Sequence, residues 1–153
     1  MSKTTSGMFP RCYVCGAENP AGLHVAFEMD GSGGSRAEYT GRPEHVGFPG
    51  IIHGGLLFAL MDEAVAWACL YAGATCVTAK AEARFRASAR VGMRLVVTGR
   101  VSFASRRAMR ARAEIRNAEA GEVVAELDAM MAITNAARFA MEDSHESTKA
   151  RER

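Results

Sequence analysis

Asp62 and Glu63 are the only carboxylates between Glu44 and Glu82, and they stand inside an apolar run, Leu56-Leu57-Phe58-Ala59-Leu60-Met61 before them and Ala64-Val65-Ala66-Trp67 after. An unpaired carboxylate is expensive to hold away from water. At least one of the two therefore needs a reason, and a nucleophile or general base is the usual one. The plainer alternative is that one or both emerge at the helix surface or bind a polar group in the core. Upstream stands His53-Gly54-Gly55, preceded by Gly47-Phe48-Pro49-Gly50. Glycine lets the backbone turn sharply and lets a ligand approach the exposed amides. A helix beginning there adds about half a positive charge, which suits a carbonyl oxygen or a developing oxyanion. A tight turn would use the same glycines.

Geometry limits how these parts can cooperate. Asp62 lies seven or eight residues beyond Gly55 and Gly54, roughly 10–12 Å along a helix that rises about 1.5 Å per residue. One helix cannot bring both to one carbonyl. Joint action requires a second copy running antiparallel, as a two-fold dimer permits, with two sites per dimer.

The elements that hold these groups follow from periodicity. Residues 54–72 place Leu56, Leu57, Leu60, Met61, Val65, Trp67 and Leu70 on nearly every face, which predicts a helix wrapped by protein and closed by Gly73. The apolar stretch 51–79 is long enough to span a bilayer, but two central charges would be costly there, so no membrane span is expected. Residues 23–29 and 35–40 alternate about a glycine-rich turn and predict a hairpin. Beyond the helix, Ala79, Ala81, Ala83 and Phe85 oppose Lys80, Glu82, Arg84 and Arg86, and 95–101 continues as a strand. Met109, Ala111, Ala113 and Ile115 then oppose Arg110, Arg112, Glu114 and Arg116, and Gly121 turns the chain into 123–133. The class is α+β, an antiparallel sheet curled around one apolar helix, with edges that need pairing or cover. Residues 1–11 and 136–153 are expected to be flexible ends, leaving one domain over 12–135. The chain of 153 residues, 48% hydrophobic and 24% charged, excludes disordered, collagen-like and repeat architectures.

The run His53-Gly-Gly-Leu-Leu-Phe-Ala-Leu-Met-Asp62-Glu-Ala resembles the signature of the PaaI-like branch of the hotdog-fold acyl-CoA thioesterases. The resemblance spans roughly residues 12–134, with Cys12-Tyr-Val-Cys-Gly-Ala-Glu-Asn-Pro-Ala-Gly-Leu23 at its start and Gly121-Glu-Val-Val-Ala near its end. The spacing from His-Gly-Gly to Asp is its specific part. It implies the hotdog fold, an antiparallel sheet of about five to six strands around one central helix. It also implies a homodimer with a continuous sheet, able to pair into a homotetramer, and hydrolysis of a fatty or aromatic acyl-CoA. By position, the Gly54 amide would polarise the thioester carbonyl, and Asp62 of the partner subunit would be nucleophile or general base. Thr78 would orient water or the carboxylate, and His53 would shape the loop and polarise the site. Gly55 and Glu63 fall to substrate binding. Such chemistry needs no metal, so neither metal nor cofactor is expected. Some relatives carry Asn six residues before the motif His, where this sequence has Gly47; His45 or an ordered water is left to replace that donor.

Charge is segregated: residues 1–79 carry a net −3, 80–116 a net +9 and 117–153 a net −4. Arginine grips phosphate in two-pronged fashion, and CoA phosphates ride at a protein surface while the acyl chain enters the core. Arg106 and Arg107, at a turn between strands, are the first candidates for them. Nucleic acid is the other partner such a band could serve, and it is not expected, because only Phe85 and Phe103 interleave the charges. Four cysteines without a secretion-signal pattern point to a cytoplasmic protein with free thiols. Cys12-x-x-Cys15 has no second pair for a four-ligand zinc site, and His24 or His45 could complete one only by coincidence of folding. The pair is therefore read as a packing feature beside Gly16, and Cys69 and Cys76 as core. The alternatives to a thioesterase are a non-catalytic acyl-CoA-binding or regulatory protein of the same fold, and a hydratase or dehydratase, which would pair a His with a carboxylate.

Overall fold

A computed structural model describes residues 7–134, so the expected flexible stretches 1–6 and 136–153 lie outside the described residues. Two strands, β1 (Glu28–Met29) and β2 (Ser35–Thr40), precede a short 3-10 turn at Pro43–His45 and the helix α1 (Gly54–Tyr71). Four long strands follow: β3 (Cys76–Phe85), β4 (Arg94–Ala104), β5 (Ala108–Asn117) and β6 (Val123–Ile133). All six form one antiparallel sheet in the order β1-β2-β4-β5-β6-β3, with β3 at one edge. α1, apolar and long enough to cross a bilayer by length and composition, is laid across one face of this sheet. This is the α+β hotdog architecture that the sequence resemblance implies.

Period two decides which side chains meet the helix. Met109, Ala111, Ala113 and Ile115 of β5 are buried while Arg110 and Arg112 are exposed, and Leu95 and Val97 of β4 with Leu127 and Met131 of β6 complete the layer against Leu57, Leu60, Met61, Ala64 and Val65. The contact is close at Gly99, where a Cβ would stand 2.3 Å from the Ala64 carbonyl oxygen. The fully buried Ser35 hydroxyl donates to the same oxygen at 2.6 Å. The middle of α1, just after Asp62 and Glu63, is thus fixed to the sheet.

The segment 23–29 departs from expectation. Only Glu28–Met29 pairs with β2. Leu23, Val25 and Phe27 are buried alternately, but the Leu23 and Val25 amides donate to the carbonyls of Tyr13 and Val14, each at 2.8 Å. His24 between them has φ +53°. Alternation records which side is buried, not which strand supplies the hydrogen bonds. Residues 9–11, expected within a loose start, are tied down: Phe9 packs on Trp67 with ring centroids 5.6 Å apart, and the Glu18 amide donates to the Pro10 carbonyl at 2.9 Å.

The basic band is largely met by neighbouring carboxylates. Arg84, Arg86, Arg94, Arg100, Arg112 and Arg116 pair with Glu82, Glu126, Glu38, Asp30, Asp128 and Glu114. Among the described residues, Arg106 and Arg107 make no ion pair, and both lie exposed in the turn between β4 and β5.

Candidate active site

A helix opens with four amides that lack an intrahelical partner, and the start of α1 accounts for three of them. His53 is the N-cap, and its Nδ1 accepts from the Gly55 amide at 2.8 Å. The Leu56 and Leu57 amides donate to the His53 carbonyl at 3.0 and 3.2 Å. The Gly54 amide alone has no partner among the described residues, and Gly54 is exposed. A Cβ at Gly54 would meet only the Phe85 ring, at 3.7 Å, so the free donor sits at the end of β3. Gly55, expected to touch substrate, instead spends its amide on His53.

The loop before the helix is held by its own backbone. The His53 amide donates to the His45 carbonyl at 2.9 Å, and Gly47 and Ile51 are bonded at the same distance. Gly47 lies beneath the His53 ring, where an added Cβ would come within 3.2 Å of Cδ2. His45 is committed elsewhere: its Nδ1 lies 2.8 Å from the Tyr39 hydroxyl, and the two rings stack. Burial and the nearby Arg42 hold the His45 pKa below the usual histidine value.

Asp62, half-buried two turns along α1, accepts a hydrogen bond from the Thr78 hydroxyl at 2.5 Å on Oδ1. Thr78 stands near the beginning of β3, at a register irregularity between Thr78 and Lys80. The edge strand therefore carries the carboxylate near one end and the free helix amide near the other. Thr78, Met131 and Met109 form one row across β3, β6 and β5, and the Arg107 carbonyl accepts from the Ile133 amide at 2.9 Å. Arg106 and Arg107 thus lie at the sheet end that holds Asp62.

Glu63, expected at the substrate, faces the N-terminal segment: the Cys12 thiol donates to its Oε1 at 3.3 Å. Burial pushes its pKa up to about 7. A hydrogen bond from the Cys15 thiol pulls Cys12 down and pushes Cys15 up. This contact joins residues 51 positions apart, and only the CxxC pair and the doubled carboxylate signalled it in the sequence. Next to it, a cavity of about 70 Å³ is lined by Phe9, Glu63, Ala66, Trp67, Leu70, Thr75 and Cys76. The Trp67 Nε1 is buried with no hydrogen-bond partner among the described residues. Cys69 is buried and Cys76 partly so.

The model of the family described as thioesterase superfamily matches residues 49–124, the stretch that holds His53, Gly54, Asp62, Thr78, Arg106 and Arg107. The chain belongs to the thioesterase superfamily. A crystal structure of a thioesterase superfamily protein superposes on this member with a TM-score of 0.76 at 25% identity, over 80% of this chain and 60% of that one. This chain thus spans about three fifths of that relative's length. The Escherichia coli PaaI protein from the phenylacetic acid degradation operon gives a TM-score of 0.68 at 24% identity, covering 74% of this chain and 81% of that one. A hypothetical thioesterase from Streptococcus pneumoniae, solved with coenzyme A, gives 0.68 at 21% identity, covering 72% and 86%. Two further structures of a hypothetical thioesterase from that organism carry Ala in place of an aspartate and of a threonine sixteen positions later. No curated protein matches this superfamily member.

Proposed function

We propose that this protein is an acyl-CoA thioesterase that hydrolyses fatty or aromatic acyl-CoA as a homodimer, with an active site shared between subunits. The carrying observation is the Asp62 carboxylate held by Thr78, at one end of an edge strand whose other end adjoins the Gly54 amide, which has no partner among the described residues. The spacing of Asp62 and Thr78, sixteen residues, equals that of the two residues replaced in the Streptococcus pneumoniae structures.

The outer edge of β3 offers ten residues for pairing, with Val77 and Phe85 43% and 53% exposed. Such an edge calls for a partner strand. Antiparallel pairing with a second β3 about a two-fold axis at Glu82, which keeps paired residues on one face, brings the Thr78 end of β3 beside the Phe85 end of the partner subunit's β3. Asp62 then approaches Gly54 of the partner subunit, the juxtaposition that one helix cannot make. With both β3 edges paired inside the dimer, a dimer of dimers would form through a different surface.

In that arrangement the Gly54 amide donates to the thioester oxygen and stabilises the oxyanion as the carbonyl carbon becomes tetrahedral. Thr78 occupies Oδ1 of Asp62 and leaves Oδ2 to act. As general base, Oδ2 takes a proton from a water that attacks the carbonyl. As nucleophile, it forms an acyl anhydride that water then opens. Either route breaks the C–S bond, consumes one water and releases a carboxylic acid and the CoA thiol. His53 serves by capping the helix, which fixes the loop that presents Gly54. Arg106 and Arg107, without a carboxylate partner among the described residues and at the sheet end that holds Asp62, are assigned to the CoA phosphates.

One observation favours the non-hydrolytic alternative: Gly47 has no side-chain donor and His45 is committed to Tyr39. The hydratase reading has less support, since the His53 Nδ1 caps the helix and no carboxylate reaches that ring among the described residues. Thiol release from a panel of short, medium, long and aromatic acyl-CoAs tests the proposal. Turnover that disappears in Asp62→Asn while binding persists supports it, and binding without turnover of any ester by the wild type replaces it with the binding protein.

A further inference from the structure

The Cys12-x-x-Cys15 turn and Glu63 have no part in the chemistry above, yet the fold brings them together. Cys12 Sγ stands 3.3 Å from Glu63 Oε1. The two sulfurs and a carboxylate oxygen all lie within 4.8 Å of one another. A tetrahedral ion with sulfur at about 2.3 Å and oxygen at about 2.0 Å holds its ligand atoms roughly 3.5–3.8 Å apart. The three atoms are thus within small side-chain adjustments of a common centre.

Their supports are rigid. The Cys15 amide donates to Cys12 Sγ at 3.4 Å, and the Gly16 amide to the Cys12 carbonyl at 2.9 Å. Gly16 cannot be replaced without moving the turn, because a Cβ would meet Cys12 N, Cys12 O and Pro10 O, each at 2.5 Å. Glu63 stands on α1 beside the residue whose carbonyl is clamped by Ser35. The charge balance is incomplete as well: Glu63 is largely withdrawn from water, and among the described residues no Lys, Arg or His pairs with it. Its neighbours are two thiols and, one position back, Asp62. A withdrawn carboxylate in such company lacks a cation.

We propose that Cys12, Cys15 and Glu63 bind a zinc ion that fastens the N-terminal turn to the helix carrying Asp62. Two thiolates and one carboxylate suit zinc better than magnesium or calcium, which prefer oxygen alone. The thiols bind as thiolates, their protons leaving to solvent. All three residues are partly exposed, so water completes the fourth position. The site stands apart from the thioester chemistry and does not depend on whether the ester is cleaved.

The test is a Co(II) titration of the reduced, chelator-treated full chain, followed by displacement with Zn(II). The proposal expects a near-ultraviolet thiolate-to-cobalt band that saturates at a stoichiometric ratio and is abolished by zinc. Zinc should also raise the Tm. Cys12→Ser and Cys15→Ser should remove the band. Glu63→Gln should weaken Co(II) binding by about tenfold or more, since losing even an outer-shell partner costs that much. Far-ultraviolet circular dichroism checks that each variant is folded. No cobalt band in the reduced wild type overturns the proposal. So does a band that survives Glu63→Gln at full affinity, or a Cys12–Cys15 disulfide that persists in reductant and excludes the metal.

Discussion

Replacing Gly99 by Ala probes the contact that sets where Asp62 stands. The new Cβ would lie 2.3 Å from the Ala64 carbonyl oxygen, 2.6 Å from its carbon and 2.7 Å from the Ser35 hydroxyl, where unstrained carbon contacts are about 3.5–4.0 Å. The helix must therefore withdraw by about 1 Å. Overpacking of this kind costs about 1–3 kcal/mol, and withdrawal also stretches the Ser35–Ala64 hydrogen bond, worth about 0.5–1.5 kcal/mol net. For a domain of this size about 1 kcal/mol moves Tm by about 2–4 °C, so Gly99→Ala is expected to lower Tm by about 5–15 °C. Asp62 rides on the displaced segment, two residues before Ala64, and misplacement by about 1 Å can cost about 10²-fold in rate. Ser35→Ala removes the hydrogen bond without the clash, and its loss should stay near 1 kcal/mol, about 2–4 °C. Thermal melts and thiol release on the two variants measure both effects. A Gly99→Ala protein with wild-type Tm and full turnover would refute the idea that this contact positions the carboxylate.

Three further outcomes follow from the same geometry. Gly54→Pro removes the free amide at the first helical position, where proline is well tolerated, and His53 before it already has the extended backbone (φ −58°, ψ 131°) that a proline requires; the Tm should hold while kcat falls about 10²–10³-fold. Arg106→Ala with Arg107→Ala should raise KM for acyl-CoA and flatten its salt dependence while leaving kcat for a short acyl thioester lacking CoA unchanged, read by thiol release at rising ionic strength. His45 has a folded pKa below its unfolded value of about 6.5, so the unfolded chain binds the extra proton and stability is lost as pH falls from that value through the folded pKa; subtracting the Tm profile of His45→Gln from that of the wild type should show a deficit that grows below pH about 6.5.

The legible parts of this molecule were those written in local pattern. The helix was visible because apolar residues fill it on all sides, and β5 because Met109 through Arg116 keep strict alternation. Segment 23–29 alternates just as well, yet its Leu23 and Val25 amides bond to residues 13 and 14, a choice made by tertiary packing. Of the candidate site, glycine chemistry pointed to the Gly54-Gly55 pair and the cost of a carboxylate among Leu and Val to the Asp62-Glu63 pair, and only the family resemblance chose Gly54 and Asp62 within them. Two other features were not legible. Glycine alone does not reveal that the Gly55 amide is consumed by the His53 ring, because the rotamer decides it. No spacing rule links Cys12 to Glu63, because the contact exists only once the N-terminal turn lies on α1. Ser35 and Gly99 were equally silent, since a buried hydroxyl and a missing Cβ gain meaning only opposite the Ala64 carbonyl.

The proposed chemistry has Asp62 of one subunit working on a carbonyl held by Gly54 of the partner subunit. Its most direct test mixes two inactive variants, Asp62→Asn and Gly54→Pro, by co-expression and measures thiol release from the mixed dimers. A hybrid dimer has one site in which both replacements coincide and one in which neither does. Random mixing therefore predicts recovery to about one quarter of wild-type activity. Hybrid dimers demonstrated by mass but showing no recovery would contradict the shared site.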